Sequence, residues 1–229
     1  DGFDVPQSTG NPMDLQSALQ FYWSIPDKGA PAYQLFGAKY IIVPKDAQPG
    51  GPGIWPVYTD NPWVDIHLNT RALNRVWMVY ATQNVADTGA AMLATLDPAF
   101  DPQHTAIVEQ GPALQGDGES TLEVRAYGPN RAEFVVKTSA PGLFILSDTY
   151  YPGWEAFMDG TPASLIRTDA IFRGVLVPAG EHHLTLRYRP AAFRVGLGLA
   201  GAAVVLLIGL QLRLKQERAS LNPANSPSP

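Results

Sequence analysis

Residues 147–155, SDTYYPGWE, gather two tyrosines, a tryptophan and two carboxylates around a Pro-Gly turn. Aromatic faces can stack on a sugar ring while carboxylates take its hydroxyls. That chemistry makes Asp148, Tyr150, Tyr151, Trp154 and Glu155 the candidate substrate-binding residues. The same residues suit a sandwich corner, where Tyr and Trp fill the edge of a core and Pro-Gly makes the bend. Packing is the favoured reading. An acid–base carboxylate pair needs a separation of about 5–10 Å, which sequence spacing does not set, so no catalytic residue is assigned.

His182 and His183 are the only adjacent histidines. On a strand they point to opposite faces and cannot share a metal, and no cysteine or nearby third histidine completes a site. Both are expected as solvated strand residues, with no metal and no cofactor. Gly-x-Ser-x-Gly, a Gly-rich phosphate loop and His-Glu-x-x-His are all missing. Charged residues make up 16% of the 229, and the net charge is −5. Such a surface does not invite nucleic acid or favour flat docking on anionic lipid. With no cysteine, the redox compartment cannot be read from thiols.

Residues 195–212, VGLGLAGAAVVLLIGLQL, carry no charge and run straight into RLKQER. Eighteen helical residues reach about 27 Å, close to the hydrocarbon thickness of a bilayer. A transmembrane helix is expected over 193–214, with the lipid bilayer as partner. Gly196, Ala200 and Ala203, beside Gly198 and Ala202, set small residues at helix-packing spacing and point to neighbouring helices. Arg187, Arg189 and Arg194 before the span balance Arg213, Lys215 and Arg218 after it. Long domains translocate largely regardless of charge, so the short basic tail is expected inside and residues 1–192 outside. The opening Asp-Gly-Phe-Asp has no signal-peptide pattern, which favours a longer parent chain.

Several elements can position these residues. Asn11 and Pro12 mark a helix start, with Leu15, Ala18, Leu19 and Tyr22 forming its apolar face. A short helical piece at 32–36 ends at Gly37, and 40–43 reads as a buried strand stopped by Pro44. Residues 48–56 read as loop. Val64, Ile66 and Leu68 alternate with polar residues, as an inward apolar face would. Residues 75–80 form another strand, and 88–96 a helix ended by Pro98. These make an α+β unit over 1–110, with a Gly-rich linker at 111–119.

From 120 the period becomes two. Six or seven short strands, with an Asp159-Gly160 hairpin, predict an antiparallel Ig-like β-sandwich over 120–190. Leu122, Phe134, Leu146, Ile166, Leu176 and Leu186 are expected inside. Pro190 ends the last strand, so the sandwich is expected at the membrane surface. Residues 215–229 are expected as a disordered tail. The fold class is α+β, mainly β, with one C-terminal transmembrane helix.

Three stretches together resemble the end of YfhO-type bacterial membrane proteins, which are related to the GT-C glycosyltransferases. They are LFGAKYIIVP at 35–44, LSDTYYPGWEAFMDGTPASLIRTDAIFRGVLVPAGEHHLTLRYRPAAFRVGL at 146–197, and the closing span. The resemblance implies a C-terminal extracytoplasmic domain after many transmembrane helices, with those helices and a lipid-linked sugar or envelope glycan as partners. In GT-C enzymes the catalytic acid lies in the first extracytoplasmic loop. That loop has no counterpart here, so no catalytic residue carries over. A membrane-anchored, non-catalytic module that binds or scaffolds envelope glycans is the alternative.

Overall fold

The computed structural model describes residues 14–221. The chain runs through helices α1 (Asp14–Ser24) and α2 (Pro31–Gln34), then strands β1 (Tyr40–Pro44), β2 (Ile54–Tyr58) and β3 (Val64–Asn69). Strands β4 (Val76–Val79) and β5 (Ala81–Val85) follow, with helix α3 (Thr88–Leu96) and strand β6 (Thr105–Glu109). Next come β7 (Ser120–Gly128), β8 (Arg131–Thr138), β9 (Gly142–Leu146), β10 (Trp154–Met158) and β11 (Thr161–Ala163). Strands β12 (Leu165–Thr168), β13 (Phe172–Val177) and β14 (Gly180–Tyr188) precede helix α4 (Ala191–Leu221). The fold is mainly β, with largely antiparallel sheets and one apolar C-terminal helix, as the sequence predicts. It divides into two compact units after Tyr188.

Two sheets form the sandwich, one ordered β11-β10-β14-β8-β7 and the other β4-β9-β13-β12-β6-β5. Between them lie Phe134, Val136, Leu184 and Leu186 from the first sheet, and Met78, Phe144, Leu146 and Val175 from the second. The far face of the six-stranded sheet carries Trp77, Val79, Leu143 and Ile145, covered by Phe21, Leu35 and Ala91. Buried on both faces, β9 has no exposed residue, which is why it reads as a continuous apolar run.

The six-stranded sheet corrects the domain boundary. Strands β4, β5 and β6 come from before residue 111 and pair in the same sheet as β9, β12 and β13. Residues 111–119 are no free linker: Thr82 N–H donates to Leu114 O at 3.0 Å, and Gly116 N–H to Tyr80 O at 3.1 Å. The sandwich therefore needs the segment that sequence assigned to a separate unit. Strands β5 and β6 pair in parallel and are joined through α3, whose N-terminus is capped by Asp87 accepting from Ala90 N–H at 2.9 Å.

Several expected faces are turned. On α1, Phe21 is buried, whereas Leu19 and Tyr22 are exposed. The proposed cap at Asn11 and Pro12 lies outside the described residues, as does the side chain of Leu15. On β13, Val175 and Val177 face the sandwich, so period two sends Leu176 to the opposite face, where it is 39% exposed. Ile166 is likewise packed on the helix-covered side rather than between the sheets. Strand β2 begins inside the segment read as loop.

A third sheet, ordered β1-β3-β2, inverts the expectation for its central strand. Asp65, His67 and Asn69 are buried, and Val64, Ile66 and Leu68 lie on the more open face. The two ends of the polar row, Asp65 and Asn69, are held by specific partners. Asp65 accepts from Lys45 Nζ and Asp46 N–H, each at 2.9 Å, while Asn69 donates to Ala38 O and accepts from Arg71 N–H. The Lys45 hydrogen bond and the Asp46 N–H hold the Asp65 carboxyl below its usual range.

The second unit begins at Arg189. Among the described residues, Val195–Arg218 is the one helical stretch long and apolar enough to cross a membrane, and none of it is buried by the rest of the chain. By length and composition such a helix is compatible with membrane association. It continues through 215–221, which the sequence reading assigned to a disordered tail. Lys, Gln, Glu, Arg and Leu are good helix formers, and Arg213 Nε and Glu217 Oε1 pair at 3.6 Å across one turn. The expected tail beyond residue 221 lies outside the described residues.

Candidate functional site

The segment 147–153 carries the chain from β9 to β10, and its side chains part company. Asp148 becomes the centre of an ionic cluster. Its carboxylate accepts from Arg75 Nη1 at 2.9 Å and from Tyr127 Oη at 2.7 Å, and Arg173 Nη1 stands 3.6 Å away. Arg173 is buried on β13, donates from Nε to Thr149 O at 3.0 Å, and lies 3.9 Å over the Trp154 ring. Burial lowers the Arg173 pKa, opposed by the charge of Asp148. Burial raises the Tyr127 phenol, helped by its hydrogen bond to Asp148.

Arg173 thus brings Asp148 and Trp154 together. Tyr188 does the same for the other rings, with centroids 5.5 Å from Trp154 and 6.2 Å from Tyr151. Glu155 sits one residue along β10, opposite Arg187 in register. Asp148, Tyr151 and Trp154 therefore belong to packing and pairing around this corner, while alternation along β10 puts Glu155 on the face opposite Trp154 and Ala156. Trp154→Ala is expected to lower unfolding free energy by about 2 kcal/mol, because it removes a half-buried ring and the platform under a buried guanidinium. Urea unfolding measures this, and an unchanged midpoint would contradict it.

Tyr150 departs from the group. It lines a cleft of about 510 Å³ together with Thr88, Glu109, Gln110, Ser164 and Arg167. The Arg167 guanidinium lies 5.0 Å over the Tyr150 ring and donates to Thr88 Oγ1 at 3.2 Å. Thr88 in turn donates to Glu109 Oε2 at 3.0 Å. Gln110 holds a φ of 54°, in the left-handed region that non-glycine residues seldom occupy. The cleft offers a guanidinium, a carboxylate, hydroxyls and part of an aromatic face, the equipment for a hydroxyl-rich ligand.

His182 also departs from its expected solvated state. It is mostly buried, with Nδ1 2.7 Å from Asp159 Oδ2, while His183 N–H donates to Asp159 Oδ1 at 2.8 Å. The His182 hydrogen bond, then that N–H, hold the Asp159 carboxyl below its usual range and tie down the hairpin. No group of three or more His, Asp or Glu among the described residues is placed to hold a metal ion.

The sequence missed Arg75, Tyr127, Arg167 and Glu109, which come from distant elements. Only Arg173 left a local trace, as a lone charge inside the apolar run FRGVLV. A scan against protein-family models finds no match, and no curated protein or solved structure is similar enough to match this chain.

Proposed function

We infer that this chain is the extracytoplasmic C-terminal domain and last membrane span of a YfhO-type bacterial membrane protein. In that reading the parent is a GT-C-type glycosyltransferase that uses a lipid-linked sugar in the cell envelope, and this portion is non-catalytic. The carrying observation is the uncharged stretch 195–212 within α4, a helix that begins after only two residues, Arg189 and Pro190, beyond the last strand. The block 146–197 on which the resemblance rests takes in β10 to β14, strands of both sandwich sheets, and the start of α4. The domain stays outside and the basic end of α4 stays in the cytoplasm.

Sidedness is directly testable, because the chain has no cysteine of its own. Ser120→Cys in intact cells labels with an impermeant maleimide, and Ser226→Cys labels only after the membrane is opened. The reverse pattern would overturn the orientation. For activity, membranes holding the full parent transfer sugar from a polyprenyl-phosphate donor, and this chain alone gives none. Transfer by this chain alone would place catalysis in the wrong part.

The cleft beside Tyr150 favours a second reading, a module that binds envelope glycans. Its test is Tyr150→Ala, expected to weaken binding of an envelope oligosaccharide about tenfold with little change in melting temperature. Equal affinity in the variant would remove the cleft from function.

A further inference from the structure

The three-stranded sheet shows its apolar side to the outside. Cα partners in adjacent strands share a face, and the register pairs Tyr40 with Leu68 and Ile42 with Ile66. From the other edge, Trp55 pairs with Leu68 and Tyr58 with Ile66. These six residues form one surface across three strands, without a charged side chain among them. Tyr40, Ile42 and Trp55 are 61%, 64% and 63% exposed. The sheet keeps this face apolar while burying Asp65, His67 and Asn69 on its other side. That inversion runs against the ordinary economy of a half-buried strand, and contiguous exposed apolar patches mark interaction sites.

We propose that this face is a membrane-interface docking surface, seated in the headgroup region of the bilayer that α4 crosses. The proposal rests on the anchor reading of α4. Three observations choose lipid over a protein partner. The chain carries its own apolar span, which begins at Val195, with six residues between it and the end of the last strand at Tyr188, so on the anchor reading a bilayer lies within reach of the domain. The face is uncharged in a chain of net charge −5, which leaves no basis for docking through charge. Its residues are Trp, Tyr, Ile and Leu, the composition of interfacial belts, where an amphipathic ring keeps its polar edge among headgroups and its body in the acyl boundary. Binding then follows buried apolar area and needs no anionic lipid.

The cysteine-free chain allows a direct test by spin labelling. Single variants Ile42→Cys and Tyr58→Cys in the full chain carry a nitroxide in phosphatidylcholine vesicles, beside Ser120→Cys on exposed β7 and Leu206→Cys in α4. The labels report accessibility to oxygen, which concentrates in lipid, and to a water-soluble nickel chelate. Docking gives an oxygen-to-nickel ratio at residues 42 and 58 several-fold above that at residue 120. A ratio equal to that at residue 120 overturns it. Low accessibility to both reagents at 42 and 58 means a protein cover, such as a second copy, and also overturns it. Leu206 reports the anchor separately: lipid at 206 with water at 42 rejects docking alone, and water at both rejects docking and anchor together.

Discussion

Replacing Phe134 with alanine is expected to lower the unfolding free energy by about 3–5 kcal/mol. The ring is 2% exposed and lies in the layer between the two sheets, its centroid 5.0 Å from that of Phe144 on the opposing sheet. Deleting it removes apolar burial and leaves a cavity that neither sheet can collapse into, because Val136, Leu184 and Leu186 are themselves backbone-fixed on paired strands. Leu176→Ala serves as the contrast. Its parity on β13 turns it outward, and the change should stay within about 1 kcal/mol. Urea titration followed by tryptophan emission compares the two. Similar losses for both variants would mean that the sandwich interior has been assigned to the wrong faces.

That contrast also marks where the sequence is legible. Signals confined to a few residues translate directly. Asp159-Gly160 has φ values of 51° and 82°, as a tight hairpin between β10 and β11 requires. Gly37, with φ 63°, ends the short helical piece, and Thr88 to Leu96 is helical to the residue. Parity and partnership are different. Val64, Ile66 and Leu68 alternate with polar residues as plainly as any strand, but alternation says only that two faces differ. Which one is covered depends on Lys45 and the Asp46 amide reaching Asp65 from the turn after β1.

The partners of the candidate residues are hidden for a related reason. The segment that carries Asp148 and Trp154 holds nothing of its own to satisfy them. The groups that do so, Arg75, Tyr127 and Arg173, arrive from β7, β13 and the turn before β4. The false linker at 111–119 has the same origin, since its backbone partners Tyr80 and Thr82 lie about 30 residues upstream. Long-range pairing decides each case, and a single sequence carries no record of it.

The pH dependence of stability should turn on one buried carboxyl. Asp169 lies in the turn between β12 and β13 and is wholly buried. Its Oδ1 accepts from Ile107 N–H at 2.8 Å, and its Oδ2 has no hydrogen-bond partner among the described residues. Burial pushes the carboxyl up to about 7, against the pull of the Ile107 N–H. The unfolded chain titrates near 3.9, so between about pH 4 and 7 the folded state binds more protons. Asp169 therefore contributes stability in full below about pH 4, and that contribution is lost as pH rises through 7. At 1.36 kcal/mol per unit over about three units, the loss is about 4 kcal/mol. Asp65 and Asp159, whose carboxyls are held low, act in the opposite sense and in a different window. Their stabilisation is present above about pH 4 and disappears as pH falls below it.

Asp169→Asn isolates the effect. Asparagine keeps an oxygen for the Ile107 amide, tolerates the left-handed φ of 48° at this position, and never ionises. The variant should match the parent near pH 4 and exceed it by about 4 kcal/mol at pH 8, with the slope between those values flattened. Urea unfolding of both proteins across this range measures the difference directly. Curves that run parallel from pH 4 to 8 would show that Asp169 ionises normally in the folded state and that its site is open to water.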